Sequence, residues 1–234
     1  MKKNPYFFVS TIIMIIVVFI GFTPSFIFRP VFKESQLPTS IIIHGIFNIL
    51  WFVVLLYQSW NIYKGRILNH KKIGLIGFSL AAIIIIMNFY LIYMVTQKYH
   101  EGEYSLQLAA GLSLGNFVGY VMNSIIIILA FFLKHKPEYH KRLIFLFSLS
   151  LVSFASDRIG RMIINTDDVG LNGILMGYAV HVLFIIALII YDIKTRKKPH
   201  FISILGLFIP IISLSLIFYL LSNGYGEVFL NLFL

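Results

Sequence analysis

An apolar run about as long as a bilayer is thick, closed by a cluster of cations, constrains this chain more than any other feature. From Ile41 the sequence reads IIIHGIFNILWFVVLLYQSWNIY and then turns through KGRILNHKKIG, which carries Lys64, Arg66, Lys71 and Lys72. Crossing hydrocarbon takes roughly 20 apolar residues in a helix, because a helix satisfies its backbone N–H and C=O groups within one segment. The run therefore predicts a transmembrane helix that ends at the cytoplasmic face. Within it, His44, Asn48, Trp51 and Gln58 recur at offsets of four, seven and fourteen, which is one stripe of a helix. Such a stripe faces protein, not lipid.

The pattern repeats along the chain. Spans are expected at about 6–28, 41–63, 73–96, 106–133, 142–163, 171–191 and 201–221, leaving no room for a separate soluble domain. The fold class that follows is an all-α polytopic membrane helix bundle of seven transmembrane helices, a single integral membrane domain over residues 1–234. The first span has the basic start of a signal peptide, but it is a full span long with no small-x-small cleavage site after it, so it reads as a retained helix. Gly21 and Pro24 loosen its far end, and Pro210 interrupts the last span. With 59% hydrophobic and 12% charged residues, the composition lies far from that of soluble domains, about a quarter charged. A net charge of +10 would suit nucleic acid, but the cations fall in short clusters between spans; the partner they imply is the lipid bilayer, and nucleic acid is excluded. The absence of cysteine excludes disulfides, thiolate metal sites and a cysteine nucleophile.

Charge sets the orientation independently of hydropathy. With the amino terminus inside and the carboxyl terminus outside, fourteen cations and two acids fall on the cytoplasmic side, against five cations and seven acids on the other. This bias is the positive-inside rule and places the protein in a cytoplasmic (inner) membrane. The turns RILNHKKIG and KPEYHKRLI each place a His before two cations and an aliphatic residue, and RKKPHFISI places another His at a helix start. His70, His140 and His200 thus mark three turns, and the architecture expected is one leading helix plus three helical hairpins in parallel orientation. Positive-inside selection alone is the rival explanation, most seriously for the third copy.

Ionisable and amide groups inside spans are costly and mark candidate sites. His44, Asn48, Asn88, Asn116, Asp157, Arg158, Arg161 and His181, from five helices, are expected to line a polar pocket in the outer half of the bundle, where the inner halves are nearly pure Ile, Leu and Phe. Asn116, Tyr120 and Asn123 share one stripe. Each group also has a bland reading. Asp157 and Arg161, four apart, neutralise each other; the asparagines bond neighbouring helices; the serines at 148, 150, 153 and 156 bond their own backbone; and a lone His packs. Gly111, Gly115 and Gly119 form a small-residue stripe that lets a packing partner approach closely. The three turn histidines are expected to cap turns or meet anionic headgroups.

The residues that open α-helical span two and close its turn carry a resemblance. His44, then Arg66 with His70, Lys71, Lys72 and Gly74, then His140 with Arg142, and finally Arg158 or Arg161, resemble an uncharacterised family of bacterial multi-pass membrane proteins with His-Arg-Arg-x-x-Gly and His-x-Arg turns. The resemblance implies the topology and no activity. A looser likeness, to haem-binding bundles of the cytochrome b561 type, implies a His44–His181 axial pair, with only two histidines inside spans and depths about two turns apart. Three functions follow in order. The first is an accessory protein or a binder of a small anionic or lipidic ligand, since two arginines suit an anion. The second is a haem b redox protein. The third is a zinc-dependent intramembrane hydrolase using His44, Asp157 and His181. A transporter is disfavoured by the apolar inner half. The sequence assigns no metal ligand set or catalytic residue and leaves the cofactor unknown.

Overall fold

A computed structural model describes residues 5–33, 35–164 and 171–233, except for the side chains of 171–174. The expected external loop at 165–170, and Lys2 and Lys3 of the cytoplasmic charge set, lie outside the described residues. Helix α1 (Tyr6–Phe22) runs on through a π turn, Thr23–Ile27, and is followed by α2 (Arg29–Phe32), α3 (Thr39–Lys64), α4 (Ile67–His100), α5 (Leu106–Phe132), α6 (Pro137–Ile163), α7 (Leu171–Arg196), α8 (Phe201–Ser222) and α9 (Tyr225–Asn231). No strand occurs among the described residues. Seven helices are long and apolar enough to cross a membrane: α1 with its π turn, and α3 to α8. The chain is therefore an all-helical, multi-pass membrane bundle.

Local chemistry explains the ends. Pro24 has no N–H to continue the α-helical ladder, and there the hydrogen bonding widens, with Phe28 N–H donating to the Thr23 carbonyl at 2.8 Å. Arg29 then ties the loop, donating to the Ser35 carbonyl at 2.7 Å and the Ser25 carbonyl at 3.1 Å. Gly65, at φ +77°, ends α3 in the left-handed conformation glycine adopts without strain. Other helices outrun their apolar stretches. Helix α4 begins at Ile67 instead of Ile73, α6 begins at Pro137, a favoured first-turn proline, and α7 continues to Arg196. Charge ends a hydropathic run, yet Lys, Arg and Glu are good helix formers, so the backbone carries on. The C-terminal tail folds back as α9 against the Leu106 end of α5, where Gly226 meets Ala110 and Leu230 is fully buried. Helix α8 continues through Pro210.

Helix α6 is the hub, packing against α1, α5, α7 and α8. Its run SLSLVSFAS is rich in small residues, and the serines at 148, 150, 153 and 156 each donate to a carbonyl three or four residues back, so they need no other partner. Neighbours approach through glycine. A Cβ at Gly21 of α1 would overlap the Ala155 carbonyl, one at Gly177 of α7 would lie 3.1 Å from the Ser153 oxygen, and one at Gly206 of α8 would lie 2.6 Å from Leu146. Trp51 of α3 donates to Ser148 Oγ at 3.2 Å and packs edge-on against Phe147.

Extending α6 and α7 by a turn brings Arg142 and Asp192, placed by sequence in cytoplasmic turns, into the bundle. Both are 0% exposed. Arg142 Nη2 pairs with Asp192 Oδ1, and its Nε donates to Oδ2 at 3.3 Å. Arg142 Nη1 also donates to the Glu138 carbonyl at 2.7 Å and its carboxylate at 2.8 Å. Asp192 Oδ2 further accepts from the His200 N–H at 3.0 Å and Ser203 Oγ at 2.6 Å. Three helices are joined at this basic end. The turn histidines cap and brace it: His140 Nδ1 donates to the Ala130 carbonyl at 3.0 Å, the His70 and His140 rings stand 6.3 Å apart, and His200 Nδ1 accepts from Ile202 N–H to cap α8.

This cluster predicts a pH response. Burial, then the charges of Arg142 and Arg196, hold the His200 imidazole below its ordinary 6.5 against the opposing pull of Asp192 and Glu138. As pH falls through 6.5 the unfolded chain therefore takes up a proton before the folded one does, and stability is lost. The detergent-solubilised protein is expected to melt lower below about pH 6.5. His200→Asn, which keeps a capping side chain, should flatten that dependence; an unchanged pH profile would refute the assignment.

Candidate functional site

At the end of the bundle opposite the basic turns, polar side chains converge from four helices. His44 lies in the second turn of α3, where Gly45 beside it leaves room for the Phe26 ring; a Cβ there would overlap it. His44 Nε2 lies 2.8 Å from Asn88 Oδ1 of α4 and 3.0 Å from Asn48 Nδ2. One ring nitrogen cannot both donate and accept. With Nε2 protonated, the ring donates to Asn88, while the Asn48 amide donates to the His44 carbonyl at 2.8 Å. Asn88 thus acts as interhelical hydrogen-bond glue that fixes the ring of His44, while Asn48 bonds the backbone of its own helix.

Helix α6 supplies the charges. Asp157 Oδ2 accepts from Arg161 Nη2 at 2.7 Å, the i, i+4 pairing its spacing predicts. That pair cancels its own charge. Arg158, one residue on, projects elsewhere. Its Nη1 donates to the Phe154 carbonyl at 2.8 Å, and its guanidinium sits 4.4 Å from the centre of the Phe22 ring in α1, a cation–π shelf the sequence reading missed. No carboxylate among the described residues lies within ion-pair distance of it. Arg158 is within electrostatic range of His44 on α3 and Tyr120 on α5. Tyr120 in turn lies between Phe89 of α4 and Phe154 of α6, with ring centres 6.0 and 6.5 Å away. Since α5 and α6 run antiparallel, one turn further from the basic end puts Asn116 level with Arg158. Of the eight candidates, seven therefore lie at this end: His44, Asn48, Asn88, Asn116, Asp157, Arg158 and Arg161.

His181 stands apart. It lies on α7, 5% exposed, and its Nε2 is 3.2 Å from the Gly206 carbonyl of α8. Gly206 is four residues before Pro210, which has no N–H to donate to that oxygen. His181 supplies the missing donor, a repair of the kind that lets proline stand in a membrane helix. The spacing of His181 alone hid this role, because it appears only when α7 is laid against α8.

These contacts decide two cofactor fits. An axial haem pair would need His44 and His181 to face one iron from its two sides, but α3 packs on α1 and α4 while α7 packs on α6 and α8, and each Nε2 is engaged by its own neighbour, Asn88 or the Gly206 carbonyl. The residues do not fit haem. For zinc, Asp157 is paired with Arg161, and no three His, Asp or Glu side chains among the described residues come together as ligands. The glycines at 111, 115 and 119 are open: a Cβ at Gly111 or Gly119 would meet nothing within 4 Å, and one at Gly115 would meet only Ile217 Cδ1 at 4.0 Å. Within the chain, close helix approaches are made at Gly21, Gly177 and Gly206 instead.

The His181 bond can be tested by a double-mutant cycle. His181→Ala strands a buried carbonyl and is expected to cost about 1–3 kcal/mol of stability. In Pro210→Ala the residue at 210 regains its N–H, so the same His181 change should cost less than half as much. Strictly additive melting shifts would show that the two residues are not coupled. No family model, curated protein or solved structure matches this chain.

Proposed function

We propose that this membrane protein is a binder, acting as an accessory protein, for a small anionic or lipidic ligand held in the polar pocket at the outer end of its bundle. One observation carries the reading: Arg158 is a permanent cation among helices, and the only carboxylate beside it on α6, Asp157, is paired with Arg161. Arginine keeps its proton even in low dielectric, and its planar fork suits a carboxylate or phosphate. His44 (held by Asn88), Asn116 at the level of Arg158, and Tyr120 provide polar groups around the anion. The resemblance to an uncharacterised bacterial family and the cytoplasmic-membrane location belong to the same proposal, as does the orientation that makes this end external.

Two measurements test it. Organic extracts of the purified protein, analysed by mass spectrometry, are expected to contain an acidic species that is lost in Arg158→Gln and reduced in Arg158→Lys, which keeps charge without the fork. Identical extracts from all three would refute anion binding. The chain has no cysteine, so single cysteines report topology cleanly. Glu101→Cys should react with an impermeant maleimide in intact cells, and Lys72→Cys only after permeabilisation; the reverse pattern would put the pocket on the cytoplasmic side.

A further inference from the structure

Many buried hydroxyls and amides of the bundle are satisfied close to home, although Ser25 Oγ is buried without a partner. The α6 serines bond their own carbonyls, Asn48 donates to His44, and Asn61 donates to the Tyr57 carbonyl at 2.8 Å. Helix α5 departs from this. Ser113, Asn116, Tyr120 and Asn123 occur at offsets of three, seven and ten, one face of the helix. Ser113 is 0% exposed, Tyr120 3% and Asn123 5%. Ser113 Oγ is buried without a partner. Nor do the Tyr120 hydroxyl or the amides of Asn116 and Asn123 hydrogen-bond to any described residue; only the Tyr120 backbone carbonyl is engaged, accepting from Ser124 at 2.7 Å.

A buried polar group left unmade costs about 1–3 kcal/mol; on this face Ser113 Oγ is such a group, and the Tyr120 hydroxyl and the Asn123 amide, in residues that are 3% and 5% exposed, go without a partner among the described residues. Beside this face of α5 there is space at Gly119, where a Cβ would meet no atom within 4 Å. The run begins beside Arg158, since Asn116 is level with it, and passes inward through Tyr120 to Asn123. From Asn116 to Asn123 it covers about 10 Å of helix.

We infer that this ladder receives the polar neck of the ligand, so that the ligand is a monoanionic amphiphile whose anion meets Arg158 and whose next 10 Å or so carries amide or hydroxyl groups, as in an acylated amino acid or short acyl peptide. Among the described residues at the site, Arg158 is the cation with no carboxylate within ion-pair distance, and one negative charge would match it. Donors and acceptors in the neck satisfy Tyr120 and Asn123, and an acyl tail continues into apolar surroundings. A plain fatty acid satisfies Arg158 alone. The inference rests on the anion-binding reading of Arg158 and adds the chemistry behind the anion.

Two probes separate the claims: oleate, which has a carboxylate only, and N-oleoylglycylglycine, which has a carboxylate followed by two amides. Affinities are measured on the full-length protein in detergent by native mass spectrometry, for wild type, Arg158→Gln, and the double variant Tyr120→Phe/Asn123→Leu. Wild type is expected to bind the acyl dipeptide about tenfold more tightly than oleate, the gain of one or two satisfied hydrogen bonds. The double variant should bind both probes as wild type binds oleate, and Arg158→Gln should lose both. Without ligand the double variant should melt at or above wild type, since it deletes unpartnered polar atoms. Equal affinity of wild type for the two probes, a preference that survives in the double variant, or a double variant that melts lower without ligand would overturn the ladder and leave the Arg158 reading standing. Unchanged binding by Arg158→Gln, or no binding of either probe by wild type, would overturn both.

Discussion

The structure depends on the ion pair between Arg142 and Asp192. Both side chains are fully removed from solvent, and a charge buried without its partner costs far more than a neutral polar group. Such a pair is tolerable only when its remaining hydrogen-bonding capacity is filled, and here it is: Glu138 takes the free arm of the guanidinium, while Ser203 and the His200 N–H fill Asp192. Removing one partner from a buried pair typically costs about 3–5 kcal/mol, so the ends of α6, α7 and α8 are held in one register. That register presents Gly177 to Ser153 and Gly206 to Leu146, and the hub helix packs as closely as it does because those glycines arrive opposite it.

The two ends of the bundle follow opposite rules. At the basic end the fully buried cation, Arg142, is matched, the turn histidines cap or brace, and Lys141 lies over the rings of Phe7 and Tyr191. Halfway along, the polar groups are repairs: Ser148 meets Trp51, and His181 meets the carbonyl that Pro210 leaves open. At the far end matching stops. Asp157 and Arg161 pair, but Asp157 Oδ1 is buried without a partner, Arg158 leans on a carbonyl and an aromatic face, and the α5 ladder is unmet.

Much of this was legible in the sequence for a simple reason: bilayer thickness turns hydropathy into helix number, and seven spans follow from seven runs. Membership of the far-end cluster was also legible, because the cost of a polar group in hydrocarbon makes His44, Asn88 and Arg158 stand out wherever they face. Partnership was not. Arg142 and Asp192 looked like turn charges because hydropathy marks where lipid contact ends, whereas their helices continue into protein. One available signal was a lone Asp among the cations of the DIKTRKKPH turn, a poor choice for a cytoplasmic surface unless it meets an arginine inside. His181 and Pro210 are 29 positions apart, and nothing in either helix alone links them. The glycine stripe of α5 had the right spacing for packing, yet spacing reports only that a neighbour could come close; Gly177, and Gly21 and Gly206, which are isolated in their own sequences, are where neighbours did.

Arg158 shows why the far end differs in kind from the rest. A buried carboxylate or lysine can escape its desolvation cost by changing protonation, but a guanidinium stays charged and must be solvated by something. The Phe22 face and one backbone carbonyl offer dipoles and a quadrupole, each weaker than a counter-ion. Asp157, next to it on α6, is turned to Arg161. The described residues supply a full ion pair for Arg142 and none for Arg158. The Arg158 guanidinium is thus left to water or an anion, and beside it Tyr120 and Asn123 have no hydrogen-bond partner among the described residues, which a water-filled vestibule or a ligand with a polar neck would satisfy and a sealed apolar core would not.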